Sequence, residues 1–340
     1  MKIGLDHDPV DSLFKLTPLQ LVDMAIQYGY EGIMLSAQTL LEDERSRLQI
    51  IEKVHTLNLY VELTGPEVDQ ALSEKSTLEI LARWRTTFPI AKEIGATIII
   101  TSLGTWPWKG RVIQEKGKTV EDQIQRGIAI LREVGKMAED YGIIVAIHTS
   151  FFKAEEYLQI VEEVNLPSVA LCLDTANAFL VLEDPVDFAR LVAPFVRATH
   201  FKDTCIYLQE NGMDWLGGCP LGRGLVDLPK IVDILYQSDP DINLTIEDHW
   251  GRMTVPVFDQ NFMTSLGIRN GAELAKLLKY LWDGQTLMRT GVHPTTIEAN
   301  QIDWQKIFPE RMRYNAFYAK RLRDQVIAKY QQTMTEEGNK

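Results

Sequence analysis

The chain has 340 residues, 45% hydrophobic and 24% charged. These are the proportions of an ordinary globular protein, and they exclude a disordered chain, a collagen-like fibre and a membrane bundle. The 35 basic and 47 acidic residues leave a formal net charge of −12, a surface that on average repels phosphate backbones, so no nucleic-acid partner is expected. Cys172, Cys205 and Cys219 form no C-x-x-C pair and suggest no disulfide framework. The first residues carry no apolar h-region and no apolar run approaches ~18 residues, so neither a signal peptide nor a membrane span is expected. The cytoplasm is the expected compartment.

Short apolar runs alternate with longer amphipathic ones. Residues 2–6 read as a strand. Thr17 and Pro18 then make an N-cap and first-turn pair for a helix that Gly29 stops. A second strand over 32–35 precedes a charged helix over 40–57. A third strand over 59–63 precedes a helix over 77–94 that ends at Gly95. The run 97–102 is apolar on both faces, the pattern of a buried parallel strand.

Thr119 caps the next helix, which reaches about Tyr141 and stops at Gly142. Strands over 143–147, 168–173, 196–201 and 242–246 follow, with helices over 153–164, 185–193, 228–236 and 272–281. The stretch 204–226 reads as a long loop of the kind that forms a lid. Eight strand–helix units without a second-domain signal point to an α/β fold, a closed (β/α)8 TIM barrel over 1–285. No glycine-rich phosphate turn follows the first strand, which reads Asp6-His7-Asp8-Pro9. Residues 286–340 form a C-terminal helical extension, aromatic and basic, that suits packing on the barrel or on another subunit.

Barrels place their chemistry at the carboxyl ends of their strands. Strands five to eight end in His148, Asp174, His200 and Glu247. Taken singly, a strand-end His is usually a hydrogen-bonded surface group and a strand-end Asp a cap or turn former. Two imidazoles and two carboxylates on successive strand ends instead suit a first-row divalent metal such as Mn²⁺, Zn²⁺ or Co²⁺. Lys202 and His249 lie two residues beyond ligands and project to the same side. Lys202 is a candidate to stabilise an enolate or to pair with Asp203 or Glu247, and His249 a candidate for proton transfer or for a supporting hydrogen bond. Asp6, His7 and Glu62 are candidates for sugar hydroxyls or for turns. Trp106 is a candidate stacking surface or lid core, and Arg223 a candidate anion contact or surface ion pair.

The segments Leu171-Cys-Leu-Asp-Thr-Ala-Asn177, Thr199-His-Phe-Lys-Asp203, Pro220-Leu-Gly-Arg-Gly-Leu-Val-Asp227 and Thr245-Ile-Glu247 resemble the xylose-isomerase-like TIM-barrel superfamily, of the sugar phosphate isomerase/epimerase type. The resemblance covers residues 1–285. It implies a divalent metal held by Glu, Asp, His and Glu from the last four strands, and so by Asp174, His200 and Glu247 here. His148 stands where the family has Glu, followed by Thr149-Ser150 in place of Asn-His. This departure removes one negative charge and makes the site more hospitable to a softer first-row metal. The expected cofactor is a divalent ion, Mn²⁺ first, with Zn²⁺, Co²⁺ or Mg²⁺ as alternatives.

The departure also removes one of the two carboxylates that the family's epimerases use as acid and base. The resemblance therefore implies one-base chemistry through an enediolate, as in an isomerase, dehydratase, decarboxylase or C-glycoside-cleaving lyase acting on a keto-sugar or sugar acid. A sugar 3-epimerase with His148 as second base is the alternative. An apurinic-endonuclease-like nuclease and a non-catalytic binding subunit are the further readings. The charge of −12 weighs against the first and the ligand quartet against the second. The expected partners are a small carbohydrate-derived substrate and, through the C-terminal extension, a second copy or a small subunit.

Overall fold

A computed structural model describes residues 1–68, 75–114, 117–267 and 271–337, the last five of these without their side chains. Eight strands alternate with helices: β1 (Ile3–Asp6), β2 (Gly32–Ser36), β3 (Tyr60–Thr64), β4 (Ile98–Thr101), β5 (Ile144–His148), β6 (Val169–Asp174), β7 (Val196–His200) and, after an inserted hairpin, β10 (Leu244–Ile246). Their order in the sheet is β10-β1-β2-β3-β4-β5-β6-β7, all parallel. A parallel bridge between Phe201 and Ile246 joins the two ends. The fold is a TIM barrel with a helical C-terminal part.

Helices α1 (His7–Phe14), α2 (Pro18–Gln27), α3 (Ala37–Glu42), α4 (Glu44–Leu57), α5 (Thr77–Ile94), α6 (Val120–Tyr141), α7 (Ala154–Val164), α8 (Pro185–Val192) and α9 (Leu228–Ser238) surround it. Several start at capping boxes, Thr17 with Gln20, Ser76 with Glu79 and Thr119 with Asp122, which satisfy the first orphan N–H groups. The stretch expected as one helix over 40–57 is two. Asp43 breaks it, because its side chain caps the second by accepting from Ser46 N–H. The Asp6–Pro9 turn opens α1, capped by Asp6 itself; Pro9 is tolerated there because the first-turn N–H groups are unbonded anyway.

The predicted loop over 204–226 largely folds as an antiparallel hairpin, β8 (Asp203–Gln209) and β9 (Gly212–Cys219), extended by β11 (Arg252–Val255). The signal lay in Asn211-Gly212, a strong hairpin-turn pair between two runs of strand formers. Beyond it come α10 (Gln260–Leu266), α11 (Gly271–Arg289), α12 (Thr296–Ala299) and α13 (Trp304–Glu337). α13 packs on the barrel: Phe308, Met312, Ala316, Ala319 and Leu322 are buried, the Tyr30 hydroxyl donates to the Met312 carbonyl at 3.0 Å, and Arg323 pairs with Glu31 at 2.7 Å.

Alternation along the strands stacks side chains inside the barrel in layers. Tyr60 fills the lower part: a Cβ on Gly4 would lie 1.9 Å from its hydroxyl and one on Gly32 2.1 Å from its ring. Met34, Ile100, Ala146, Cys172 and Ala198 form an apolar cluster of their own. Two residues beyond Ala146, Cys172 and Ala198 come His148, Asp174 and His200, so a polar layer caps an apolar one. No helix among the described residues is long and apolar enough to cross a membrane.

Candidate metal centre

His148, Asp174, His200 and Glu247 each offer one ligand atom, and these atoms all lie within 4.8 Å of one another. Pairing explains the common height: His148 sits opposite Cys172 and Asp174 opposite His200 in the parallel ladder. His148, His200 and Glu247 line one side of a cavity of about 400 Å³ whose wall also includes Asp6, His7, Thr64, Arg83 and Ser102.

The four side chains bond to one another, and His148 and Asp174 also to neighbours outside the quartet. His148 Nε2 lies 3.1 Å from Asp174 Oδ2 and its Nδ1 2.6 Å from Ser150 Oγ. A carboxylate only accepts, so Nε2 carries the proton and Nδ1 accepts from the serine hydroxyl. Asp174 Oδ1 accepts the backbone N–H groups of Ala176 and Asn177, both at 2.9 Å, while Asn177 Nδ2 donates to Oδ2 at 2.6 Å. His200 Nδ1 lies 3.1 Å from Glu247 Oε2, and its Nε2 is buried without a hydrogen-bond partner.

The Lys202 ammonium stands at the same oxygens, 2.7 Å from Asp174 Oδ2 and 2.6 Å from Glu247 Oε2. Trp215 of the hairpin lies 5.5 Å beneath it. His249 Nε2 is 3.3 Å from Lys202 Nζ, and the Gly251 N–H donates to its Nδ1 at 2.9 Å. Burial alone would raise the two carboxyls; Lys202 and the histidines outweigh it, holding Asp174 below and Glu247 well below the usual range. Burial pulls His148 down, and His200 beside it adds to this. Burial and the ammonium keep His249 low as well, hence neutral.

These donors fit a divalent ion: two imidazoles and two carboxylates converge from four strands, His200 keeps an unpartnered ring nitrogen, and Ser150 and Asn177 orient ligands. The four residues make a possible metal-binding site.

Asp6 and His7 line the cavity. Glu62 lies within the barrel, 1% exposed, its Oε2 accepting from Thr245 Oγ1 at 2.6 Å and its Oε1 unpartnered. Burial pushes its carboxyl up to about 7. Trp106 packs on Trp108 and, edge-on, on Phe151, away from the cavity lining. Arg223 is not brought to this cavity; it lines another one beside Trp250 and Trp304. Sequence reading passed over Ser150, Asn177, Trp215 and Arg83. Ser150 and Asn177 were within reach, two and three residues beyond ligands; Trp215 and Arg83 arrive from a distant hairpin and helix and left no local signal.

The xylose isomerase-like TIM barrel family model matches residues 22–275. A 3-oxo-isoapionate decarboxylase of Pectobacterium atrosepticum is 32% identical over 128 residues, 36% of this chain and 45% of that protein. The matches to two curated relatives span 45% and 61% of those proteins' own lengths. Among solved structures, the probable 3-DHS dehydratase AsbF of Bacillus anthracis superposes with a TM-score of 0.57 at 20% identity, covering 82% of this chain and 99% of that one. D-psicose 3-epimerase of Clostridium cellulolyticum gives 0.59 at 16% identity, covering 83% and 99%. The relatives named here are a decarboxylase, a dehydratase and an epimerase, and at such identities the superpositions bear on the fold alone. The chain belongs to the xylose isomerase-like TIM barrel family.

Proposed function

We propose that the protein is a divalent-metal-dependent enzyme that acts on a keto-sugar or oxo-sugar acid through an enolate, with loss of CO2 from a 3-oxo acid as the favoured reaction. The observation that carries this reading is the His148–Asp174–His200–Glu247 quartet, with Lys202 bonded to both of its carboxylates and His148, His200 and Glu247 lining a cavity. Decarboxylation is favoured by the resemblance to the 3-oxo-isoapionate decarboxylase and by the single base left where His148 replaces a carboxylate.

In this reading the bond from the carboxylate carbon to the neighbouring carbon breaks. Its electron pair moves onto that carbon and the adjacent ketone, CO2 leaves, and a proton returns to carbon. A bound divalent ion supplies Lewis-acid polarisation of the ketone oxygen. Lys202 places a permanent positive charge beside the developing oxyanion. Neutral His249, 3.3 Å from Lys202, handles the proton. Asp6 and His7 hold hydroxyls, and Arg83 at the cavity wall takes an anionic group of the substrate.

The test is metal analysis of the purified protein, followed by CO2 release from 3-oxo sugar acids. Stoichiometric divalent metal with metal-dependent CO2 release supports the proposal. Deuterium uptake at carbon without CO2 release moves the reading to the isomerase branch. Absence of stoichiometric metal overturns it.

A further inference from the structure

We propose that the outer face of residues 247–250 carries a second binding site, for a small organic carboxylate with a flat, apolar body. Side chains of this segment alternate between two sides. Glu247 and His249 face Lys202 in the metal centre, at 2.6 and 3.3 Å. Asp248 and Trp250 face away. Asp248 Oδ2 accepts from Arg311 Nε and, at 2.6 Å, from Asn315 Nδ2. Trp250 lies against Trp304, ring centroids 5.9 Å apart and planes inclined by 35°.

Between these groups is a cavity of about 180 Å³ lined by Arg223, Trp250, His293, Ala299, Trp304 and Arg311, among others. No Asp or Glu is among the described residues that line it, in a chain whose net charge is −12. The Arg311 side chain is only 9% exposed and lies over the Trp304 ring at 5.0 Å. The Arg223 guanidinium lies over Tyr314 at 5.2 Å and has no carboxylate partner among the described residues. His293 Nε2 donates to the Arg223 carbonyl at 2.7 Å, which fixes the rim.

Gly218, at φ 75°, keeps the floor open, since a Cβ there would meet Trp304 at 2.8 Å. The Arg223 guanidinium and the unpartnered Nη2 of Arg311, whose Nε is bonded to Asp248, suit a carboxylate, and the indoles suit a flat apolar body. A strongly hydrated dianion such as phosphate finds too little polar surface to replace its water.

The test uses the full-length protein with benzoate as probe and acetate and inorganic phosphate as comparators, read by calorimetry and by tryptophan fluorescence. Arg223→Ala removes the exposed cation, and Ala299→Phe fills the cavity from the short α12. We expect one saturable benzoate site per chain, at least about tenfold weaker in Arg223→Ala and lost in Ala299→Phe, with both variants keeping the wild-type melting temperature and metal content. Acetate should bind more weakly for want of a ring, and phosphate for want of a match. No saturable binding at millimolar benzoate overturns the proposal. So does binding that persists in both variants, or that is abolished by His200→Ala, which would assign the probe to the metal centre.

Discussion

Lys202 Nζ lies 2.6 Å from Glu247 Oε2, the same oxygen that faces His200 Nδ1 at 3.1 Å. The ammonium therefore offsets one of the two carboxylate charges and competes with any cation that enters the ligand set. A unit charge pair ~4 Å apart is worth about 4 kcal/mol at an intermediate effective dielectric, so an ion in the quartet must push Lys202 aside or bear its repulsion. Lys202→Met should bind Mn²⁺ at least about tenfold more tightly than wild type, a shift of ~1.4 kcal/mol, while catalysis falls. Titration followed by Mn²⁺ electron paramagnetic resonance measures it. Weaker binding in the variant would mean that Lys202 positions the carboxylates for the ion.

Ser150 occupies His148 Nδ1 at 2.6 Å. If Nε2 ligates a metal, the ring proton must move to Nδ1, and the serine hydroxyl then accepts it. Groups that orient a ligating histidine typically contribute ~10–100-fold in metal affinity. Ser150→Ala should therefore lose about tenfold in Mn²⁺ affinity, with His148→Ala losing more. Equal affinities in wild type and Ser150→Ala would show that the serine does not orient the ring, and full occupancy in His148→Ala would make His148 a base and not a ligand.

The barrel was legible because short apolar strands alternate with capped amphipathic helices; Thr17 and Thr119 each start a helix that the structure describes. The quartet was legible because strand ends in this fold converge, so four polar residues far apart in sequence needed no contact map. Residues arriving by other routes were not legible. Trp215 reaches Lys202 from a hairpin read as a loop. Arg223 sits in a loop whose backbone is gathered by Asp203, which carries it to the opposite side of residues 247–250. Local periodicity says nothing about such long-range placement.

Glu62 is fully buried and carries one unpartnered oxygen, with its carboxyl pushed up to about 7 from an ordinary 4.5. Burial is the main cause, opposed by the Thr245 hydroxyl. An acid whose folded value is raised favours the fold most at low pH. The unfolded chain releases this proton near 4.5, while the folded chain keeps it to about 7, so stability falls between those values and is flat above them. The difference corresponds to roughly 3 kcal/mol at most. In chelator, urea midpoints of the wild type should drop across pH 4.5–7 relative to Glu62→Gln. No difference would show that the folded carboxyl titrates at its ordinary value, and one of opposite sign that the fold holds it below that value.

Asp203 is 1% exposed and gathers four backbone N–H groups: Thr204 and Val226 on Oδ1 at 2.9 and 3.1 Å, Gly222 and Gly224 on Oδ2 at 3.0 and 2.8 Å. It thereby ties the loop that carries Leu221 and Arg223 to the start of β8. Asparagine has nearly the same shape but turns an NH2 group toward one pair of these donors, leaving two buried N–H groups unsatisfied at about 1–3 kcal/mol each. Asp203→Asn should thus cost ~3 kcal/mol in denaturant titration and open the chain to trypsin after Arg223. Gly224→Ala presses on the same carboxylate, because its Cβ would lie 2.2 Å from Asp203 Oδ1, and should reproduce both effects. If Asp203→Asn keeps wild-type stability and Arg223 stays protected, the loop is held instead by Leu221, whose N–H donates to Asn315 Oδ1 at 3.0 Å.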